Sequence, residues 1–340
     1  MPVRDAADWL AEAIGSIRAQ TVADWELIAV DDGSCDATPR ILAEAQADDA
    51  RLRVLSTNEG VRGLVAALNG GLRAARGEVV ARMDADDVAT PERLAAQLAV
   101  LESTPSLTAV TSLVEAFPDD ALGDGMRRYV AWQNALLDGP DLRRDRFVES
   151  PLIAPTLMIR TEFLRGVLGG WADHGWPEDW DLVLRAYEHG ASIARVPRLL
   201  HRWRQHARQA TRVDPRYGEL RLLAARAHYL ARFLAGPEIL RGRSVWILGA
   251  GPVGKHLAEA LVAEGCEVAG FSDVDRRKIG NRVRRAGRTW RVESTEELLG
   301  DGPRKRYAVA AVGQAGARER IRALMTGASW VEERDFIAAA

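Results

Sequence analysis

"EVVARMDADD", residues 78–87, runs from an apolar, strand-like segment straight into three aspartates within four positions. Asp84, Asp86 and Asp87 repel one another at neutral pH, so their crowding needs either bulk water or a cation beside it. The same plan occurs upstream. "WELIAV" (25–30) reads as a strand ending at "DDGS", and "LRVLST" (52–57) as a second strand. Helical patterns separate them: "TPRILAEAQA" (38–47), with Thr38 as expected N-cap and Pro39 in the first turn, "GLVAALNGGLRAA" (63–75) and "TPERLAAQLAVLE" (90–102). Strand and helix in regular alternation predict an α/β fold with a doubly wound, mostly parallel sheet. Ligands of such sheets bind beyond the carboxyl ends of the strands, where both "DDGS" and "DADD" fall.

Composition bounds the function. The chain has 340 residues, 47% of them hydrophobic, and a formal charge of −2. Neither sign dominates, so nothing global points to nucleic acid as a partner or to an anionic membrane. Lysine occurs only at Lys255, Lys278 and Lys305, and the remaining positive charge is arginine. The two cysteines, Cys35 and Cys266, make neither a disulfide framework nor a zinc site, so a reducing, cytoplasmic location is expected. No apolar run reaches the roughly 18 residues of a membrane span, and no signal peptide is expected.

Asp84 and Asp86, one residue apart at a strand exit, can both turn toward the cleft above the sheet. Hard carboxylate oxygens suit Mg²⁺ or Mn²⁺, which bind through one or two carboxylates plus substrate phosphates. Such a cation would offset the repulsion and neutralise a departing diphosphate. A second cluster, "WPEDWDL" (176–182), opens a helix through "LVLRAYEHG". Its carboxylates can serve a reaction that needs a base, or simply favour the helix N-terminus. Trp176 and Trp180 beside them suit a sugar-stacking wall or a core equally well.

"QTVADWELIAVDDGSCDATPRIL", "NEGVRGLVAALNGGLRAARGEVVARMDADDVATPERL" and "PEDWDLVLRAYEHG", in that order over about residues 1–210, resemble family 2 glycosyltransferases of GT-A fold. The resemblance implies transfer of a sugar, usually with inversion, from a nucleotide-sugar donor to a hydroxyl acceptor such as a glycan or lipid-linked glycan, in bacterial surface-polysaccharide assembly. It implies that Asp32 reads the nucleotide base, with Asp31 beside it and Arg62 near the nucleotide. Asp86 would be the direct metal ligand, and Asp84 would face the ribose or a metal-bound water. Asp179 would be the catalytic base, and Asp181 part of the helix. Arg204 and His206, in "HRWRQH" (201–206), would meet the diphosphate. Members of the family begin with a full strand, whereas this chain opens at "MPVRDAA". The expectation is a truncated first strand whose remaining residues, Pro2, Val3 and Arg4, contact the nucleotide. A peripheral membrane contact fits such an enzyme.

From Ser244 the pattern restarts. "VWILGAGPVGKHLAEAL" places Gly249, Gly251 and Gly254 in GxGxxG spacing between a strand and a helix, and Asp273 ends the next strand. The glycines allow a tight turn, and the helix N-terminus can receive a phosphate. Too little chain follows for a complete dehydrogenase. The segment, with "GFSDVDRRKIG" and "AVGQAGARERI", resembles the small Rossmann-like domain of bacterial sugar O-acetyltransferases, which implies a nucleotide or nucleotide-sugar ligand. The expected organisation is a GT-A domain over 1–215, a helical connector and linker over 216–243, and a Rossmann-like domain over 244–340. Two other readings stay open: an NAD(P)-dependent oxidoreductase built on the second domain, and a nucleotide-sugar binding protein without catalysis.

Overall fold

The computed structural model describes residues 1–57 and 61–340. The Asn58–Glu59–Gly60 part of the "NEGVRG" stretch lies outside the described residues. The chain divides into two compact units. The first comprises Met1–Arg143, Pro151–His174 and Glu178–Asp214, and the second Arg144–Ser150, Gly175–Pro177 and Pro215–Ala340. Among the described residues no helix is long and apolar enough to cross a membrane.

The first unit opens with β1 (Pro2–Val3), α1 (Leu10–Arg18), β2 (Leu27–Asp31), α2 (Thr38–Asp48), β3 (Leu52–Ser56) and α3 (Leu64–Ala74). The three strands form a parallel sheet in the order β1-β2-β3. Leu27 to Val30 of β2 are all buried, as a strand covered on both faces requires. Leu10 and Ile14 of α1, one helical turn apart, meet Leu27, Leu42 and Leu52 in one core cluster. Helix α2 begins at Thr38, so Thr38 is not its N-cap. The Thr38 hydroxyl instead accepts the Ala6 N–H at 2.8 Å, and Asp36 Oδ1 accepts the Thr38 N–H at 2.9 Å. Asp36, two residues upstream, thus satisfies the first amide of the helix, and the Thr38 hydroxyl is left to hold the Ala6 amide.

Next come β4 (Val79–Ala81), β5 (Val88–Ala89), α4 (Arg93–Ser103), β6 (Ala109–Phe117), α5 (Asp124–Ala135), α6 (Gly139–Arg144), β7 (Met158–Arg160), α7 (Glu178–Glu188), β8 (Ile193–Arg204) and α8 (Ala210–Val213). The strands form a mixed sheet in the order β4-β7-β6-β8-β5. β4 does not extend the parallel row; it pairs antiparallel with β7, Val80 opposite Ile159. Alternation in the sequence fixes a strand's existence, not its neighbour. β8 runs parallel to β6, with register shifts after the Ser112–Val196 and Leu113–Leu199 pairs. Pro197 cannot donate to the ladder, and the irregularity re-aims the strand so that His201 lies beside Val114 with its side chain fully buried.

The second unit contains α9 (Glu219–Ala235), β9 (Ser244–Leu248), α10 (Pro252–Ala263), β10 (Val268–Asp273), β11 (Arg282–Arg285), β12 (Arg288–Ser294), α11 (Thr295–Asp301), β13 (Arg306–Ala310), α12 (Ala317–Gly327) and β14 (Phe336–Ala338). Its sheet order is β11-β12-β10-β9-β13-β14, parallel throughout except for β11 on β12. Its parallel strands thus stand third, second, first, fourth, fifth in chain order, the doubly wound order 3-2-1-4-5-6 without a sixth strand. The β11–β12 turn has positive φ at Ala286 (49°) and Gly287 (69°), as a two-residue turn between right-twisted strands demands. A reciprocal Ser294–Glu297 cap starts α11.

Candidate active site

The turn between β4 and β5 sends its three aspartates to three different partners. Asp84 Oδ1 lies 3.2 Å from Nε of Arg82. Asp86 Oδ2 lies 2.9 Å from Nε2 of His206, which follows β8. Asp87 accepts from His201 Nε2 at 2.8 Å and from the Arg204 backbone N–H at 2.8 Å. The Asp84 and Asp86 side chains keep 25% and 26% of their surface open and Asp87 only 1%, so Asp84 and Asp86 are the pair available to a ligand. Burial raises the Asp84 carboxyl above the usual range; the Arg82 guanidinium opposes this and the Asp86 charge adds to it.

Behind the turn is a chain of buried polar groups. Arg93, fully buried at the start of α4, donates to the Arg82 carbonyl at 2.7 Å, to Gln97 Oε1 at 3.1 Å and to His201 Nδ1 at 3.3 Å. Arginine has no acceptor, so His201 Nδ1 must be unprotonated and its proton sits on Nε2, aimed at Asp87. Burial and then the Arg93 charge hold the His201 pKa well below its ordinary value, in keeping with a neutral ring. Burial likewise pulls Arg93 down to about 10, with Asp87 and Asp84 working in the other direction. The sequence reading gave no role to Arg82, Arg93 or His201, and named Asp87 only as one of three crowded carboxylates. The one available signal was Arg82 itself, a charge inside an apolar strand-like run, which requires a partner when buried.

Two loop residues expected at the diphosphate do converge on the turn. Arg204 donates through Nε to the Asp86 carbonyl at 2.7 Å and pairs through Nη2 with Glu12. Its guanidinium also covers the Phe117 ring at 4.4 Å. The His206 ring stacks on Trp9 with centroids 3.9 Å apart, which fixes its plane toward Asp86. Arg204 therefore shapes the backbone of the turn, and His206 shares its open side.

The acidic start of α7 is tied to the same place. Glu178 is fully buried and accepts from Arg82 Nη1 at 3.2 Å, so one guanidinium serves Asp84 and Glu178 together. Asp179 is half-buried and accepts the Trp180 N–H at 2.7 Å. Burial, reinforced by the Glu178 charge, pushes its carboxyl up to about 7, with Arg82 opposing. Asp181 points elsewhere: fully buried, it meets Arg185 Nε at 2.7 Å and His174 Nδ1 at 2.9 Å. Trp180 is fully buried and belongs to the core. Trp176, in the second unit, packs against His228 and edge-on against Tyr229.

At the end of β2, Asp32 is buried and grips the start of α3. Both its oxygens accept the Gly63 N–H, at 2.9 and 3.0 Å, and Oδ1 also accepts from Thr57 at 3.0 Å. Exposed Arg4 reaches Asp32 at 3.6 Å. Asp31 closes a turn by accepting the Ser34 N–H and hydroxyl at 3.1 and 2.6 Å. The Arg62 guanidinium lies against Gly33, 3.1 Å from where a Cβ would sit, and Gly33 has φ +76°, so this close approach needs glycine twice over. Val3 contributes backbone only: its side chain is buried and its carbonyl accepts the Asp32 N–H at 2.8 Å. Pro2 pairs beside Val30 in β1.

The glycine loop of the second unit is a separate arrangement. Gly249 has φ +116°, and a Cβ at Gly254 would lie 1.9 Å from the Gly249 carbonyl oxygen, so the helix approaches the loop as only glycine allows. Around Gly251 a Cβ would meet nothing within 4 Å. Asp273 is engaged internally: Oδ2 accepts the Ala250 N–H at 2.8 Å and Lys278 Nζ at 2.9 Å, while Oδ1 accepts the Asp275 N–H at 2.9 Å.

The family profile described as "Glycosyl transferase family 2" matches residues 1–168, the stretch that carries "VDDGS" and "DADD". Residues 1–168 are thus similar to family 2 glycosyl transferases. An uncharacterized glycosyltransferase of Haemophilus influenzae is 30% identical over 62% of this chain and 65% of its own length. The succinoglycan biosynthesis protein ExoO of Rhizobium meliloti is 34% identical over 44% of this chain and 40% of its own. The chain thus spans less than two thirds of these relatives. Among solved structures, S. aureus TarS 1–349 in complex with UDP-GlcNAc shares the fold at a TM-score of 0.54 and 17% identity, over 77% of this chain and 69% of TarS. The TarS likeness supports the α/β fold; the likeness of the segment after Ser244 to sugar O-acetyltransferases finds no counterpart in these matches.

Proposed function

We propose that the protein is a metal-dependent, inverting glycosyltransferase that moves a sugar from a nucleotide-diphosphate-sugar to a hydroxyl of a growing polysaccharide or glycoconjugate. The observation that carries this reading is the meeting of Asp86 and His206, 120 positions apart in the chain, with Oδ2 and Nε2 2.9 Å from each other on the open side of the "DADD" turn. His206 Nδ1 accepts the Arg208 N–H at 3.2 Å, so Nε2 donates to Asp86; with that proton displaced, the two atoms would stand at the roughly 3 Å spacing of neighbouring ligands of an octahedral Mg²⁺ or Mn²⁺. Among the described residues no third His, Cys, Asp or Glu completes a cage, which suits a cation that takes its other ligands from phosphate and water. When bound, the cation would neutralise the charge of the departing diphosphate.

The chain's own groups supply the rest. Asp84 turns toward the ribose side while Arg82 restrains it. Asp32, Asp31, Arg4 and Arg62 line the nucleotide end, with Asp32 trading its hold on the Gly63 amide for the base. Arg204 keeps the turn in shape and His206 aligns with Asp86. Asp179 takes the proton from the acceptor hydroxyl as that oxygen attacks the anomeric carbon, and its raised pKa places it near the value a base at neutral pH needs. Relatives named for polysaccharide biosynthesis support the acceptor class.

Calorimetric titration with UDP and Mn²⁺, set beside NAD⁺, tests the reading. Metal-dependent binding of UDP that disappears in both Asp86→Ala and His206→Ala is expected. Tight NAD⁺ binding with no response to UDP and Mn²⁺ would replace it with oxidoreductase chemistry.

A further inference from the structure

The β11–β12 hairpin concentrates positive charge in a chain whose net charge is −2. Between Arg276 and Arg291 stand seven arginines and Lys278, with no acidic residue among them. Val283 and Trp290 turn inward, Trp290 against Phe271 and onto the Val268 carbonyl; Arg282, Arg284 and Arg291 alternate with them and face outward, while Arg285 and Arg288, on the face of Val283 and Trp290, stand exposed at the turn end. In the register of the hairpin Arg282 stands directly opposite Arg291, and Arg285 opposite Arg288. Like charges in such positions destabilise a hairpin. Partners relieve only some of them: Arg285 meets Glu259 at 3.1 Å and Arg291 meets Glu297 at 3.0 Å. The exposed side chains of Arg276, Arg282, Arg284 and Arg288 have no ion-pair or hydrogen-bond partner among the described residues. Charged side chains blunt a sheet edge against aggregation, but arginines placed directly opposite one another add a repulsion that this role does not require.

We infer that the β11–β12 hairpin is a docking surface for a bilayer carrying acidic phospholipids. Charge complementarity selects an anionic partner, and guanidinium groups match phosphate in geometry as well as charge. Arg282 and Arg284 on one strand and Arg291 on the other share a face, with rows about 4.8 Å apart and alternate side chains about 6.8 Å apart, and Arg288 adds an exposed charge at the turn end, which suits separate headgroups. Single-stranded nucleic acid is disfavoured because such sites use exposed aromatic platforms, and the hairpin's one aromatic is buried. Val274, 74% exposed in the loop that leads to the hairpin, adds an apolar contact at the same edge. Clusters of this size are of the kind that recognise anionic lipid, with a contribution that falls as salt screens it.

The test is flotation of the intact chain with vesicles of phosphatidylcholine alone or of phosphatidylcholine with an equal part of phosphatidylglycerol. Binding to the anionic vesicles only, weakened by salt, is expected. The Arg282→Glu/Arg284→Glu/Arg288→Glu variant should lose binding by about tenfold or more, whereas Arg198→Glu, an exposed arginine of the first unit, should not. A gentler Arg→Gln set at the same three positions guards against misfolding, with circular dichroism as the check. Equal binding to both vesicle types, no binding to either, unchanged binding by the folded Gln variant, or tighter binding to a labelled DNA or RNA duplex than to anionic vesicles would overturn the assignment.

Discussion

Arg82, just past β4, donates to the fully buried carboxylate of Glu178 on α7 across 3.2 Å and 96 positions of sequence. The same guanidinium restrains Asp84, so the turn proposed to hold the donor and the helix proposed to carry the base are held by one side chain. Breaking a buried pair costs about 3–5 kcal/mol because a charge loses its counterpart in a medium that solvates it poorly. Arg82→Met should lower unfolding stability by that order in urea titration. Arg82→Met/Glu178→Gln should cost clearly less than the two single changes added together; strict additivity would show that the two groups do not act as a pair.

Asp179→Asn keeps the shape of the helix start and removes the proton acceptor. Turnover should fall by about 10²–10⁴-fold, the usual share of general-base catalysis, with donor affinity nearly unchanged. Asp181→Asn should behave in the opposite way, with a lower melting temperature and little change in turnover per folded molecule, because its carboxylate holds Arg185 and His174. Steady-state transfer rates beside thermal melts decide; a normal rate in Asp179→Asn removes it from the mechanism.

The pH dependence follows from the same carboxyl. Asp179 is proposed to act only when ionised, and burial raises its pKa to about 7. The kcat/KM profile should therefore climb as pH rises through about 7 and flatten above it, and Asp179→Asn should lack that limb. Because the fold favours the neutral form, this group binds a proton more tightly in the folded than in the unfolded chain. Its contribution to stability accordingly declines as pH rises from the ordinary value of 3.8 through about 7.

Asp86 and Asp87 are neighbours with separable duties. Asp86→Ala should abolish cation-dependent donor binding and leave the melting temperature close to the parent, since its side chain is partly open. Asp87→Ala deprives the neutral His201 ring and the Arg204 amide of their acceptor in the interior, a loss of about 1–3 kcal/mol per unsatisfied group. It should melt lower even without ligand. Calorimetry and differential scanning of both variants would expose a reversed pattern.

In the second unit, Gly254→Ala introduces a methyl group 1.9 Å from the Gly249 oxygen, and backbone must move to admit it. A destabilisation of about 1–3 kcal/mol is expected, as for other overpacked sites. Gly251→Ala, where a Cβ meets nothing within 4 Å, should be far milder. Equal melting of the two variants would contradict the close approach.

Local pattern alone determined that this chain is α/β, where most of its early strands and helices lie, and that "DDGS", "DADD" and "GAGPVG" sit at strand ends. Hydrophobic period, glycine and proline act between residues a few positions apart, so they can be read without a structure. The family resemblance, not this local pattern, pointed to His206 and Asp179, and neither gave their spatial relation to Asp86. Tertiary structure decided that β4 pairs with β7 and that Thr38 is not a cap. It also turned the question of water or cation at "DADD" into three answers: Arg82 for Asp84, the open His206 pair for Asp86, and the interior His201 for Asp87. These outcomes depend on residues 114 and 120 positions apart for Asp87 and Asp86. Three neighbouring carboxylates are chemically identical in a sequence; only the packing around each one makes it an open partner of a histidine, a restrained neighbour of an arginine or a buried strut.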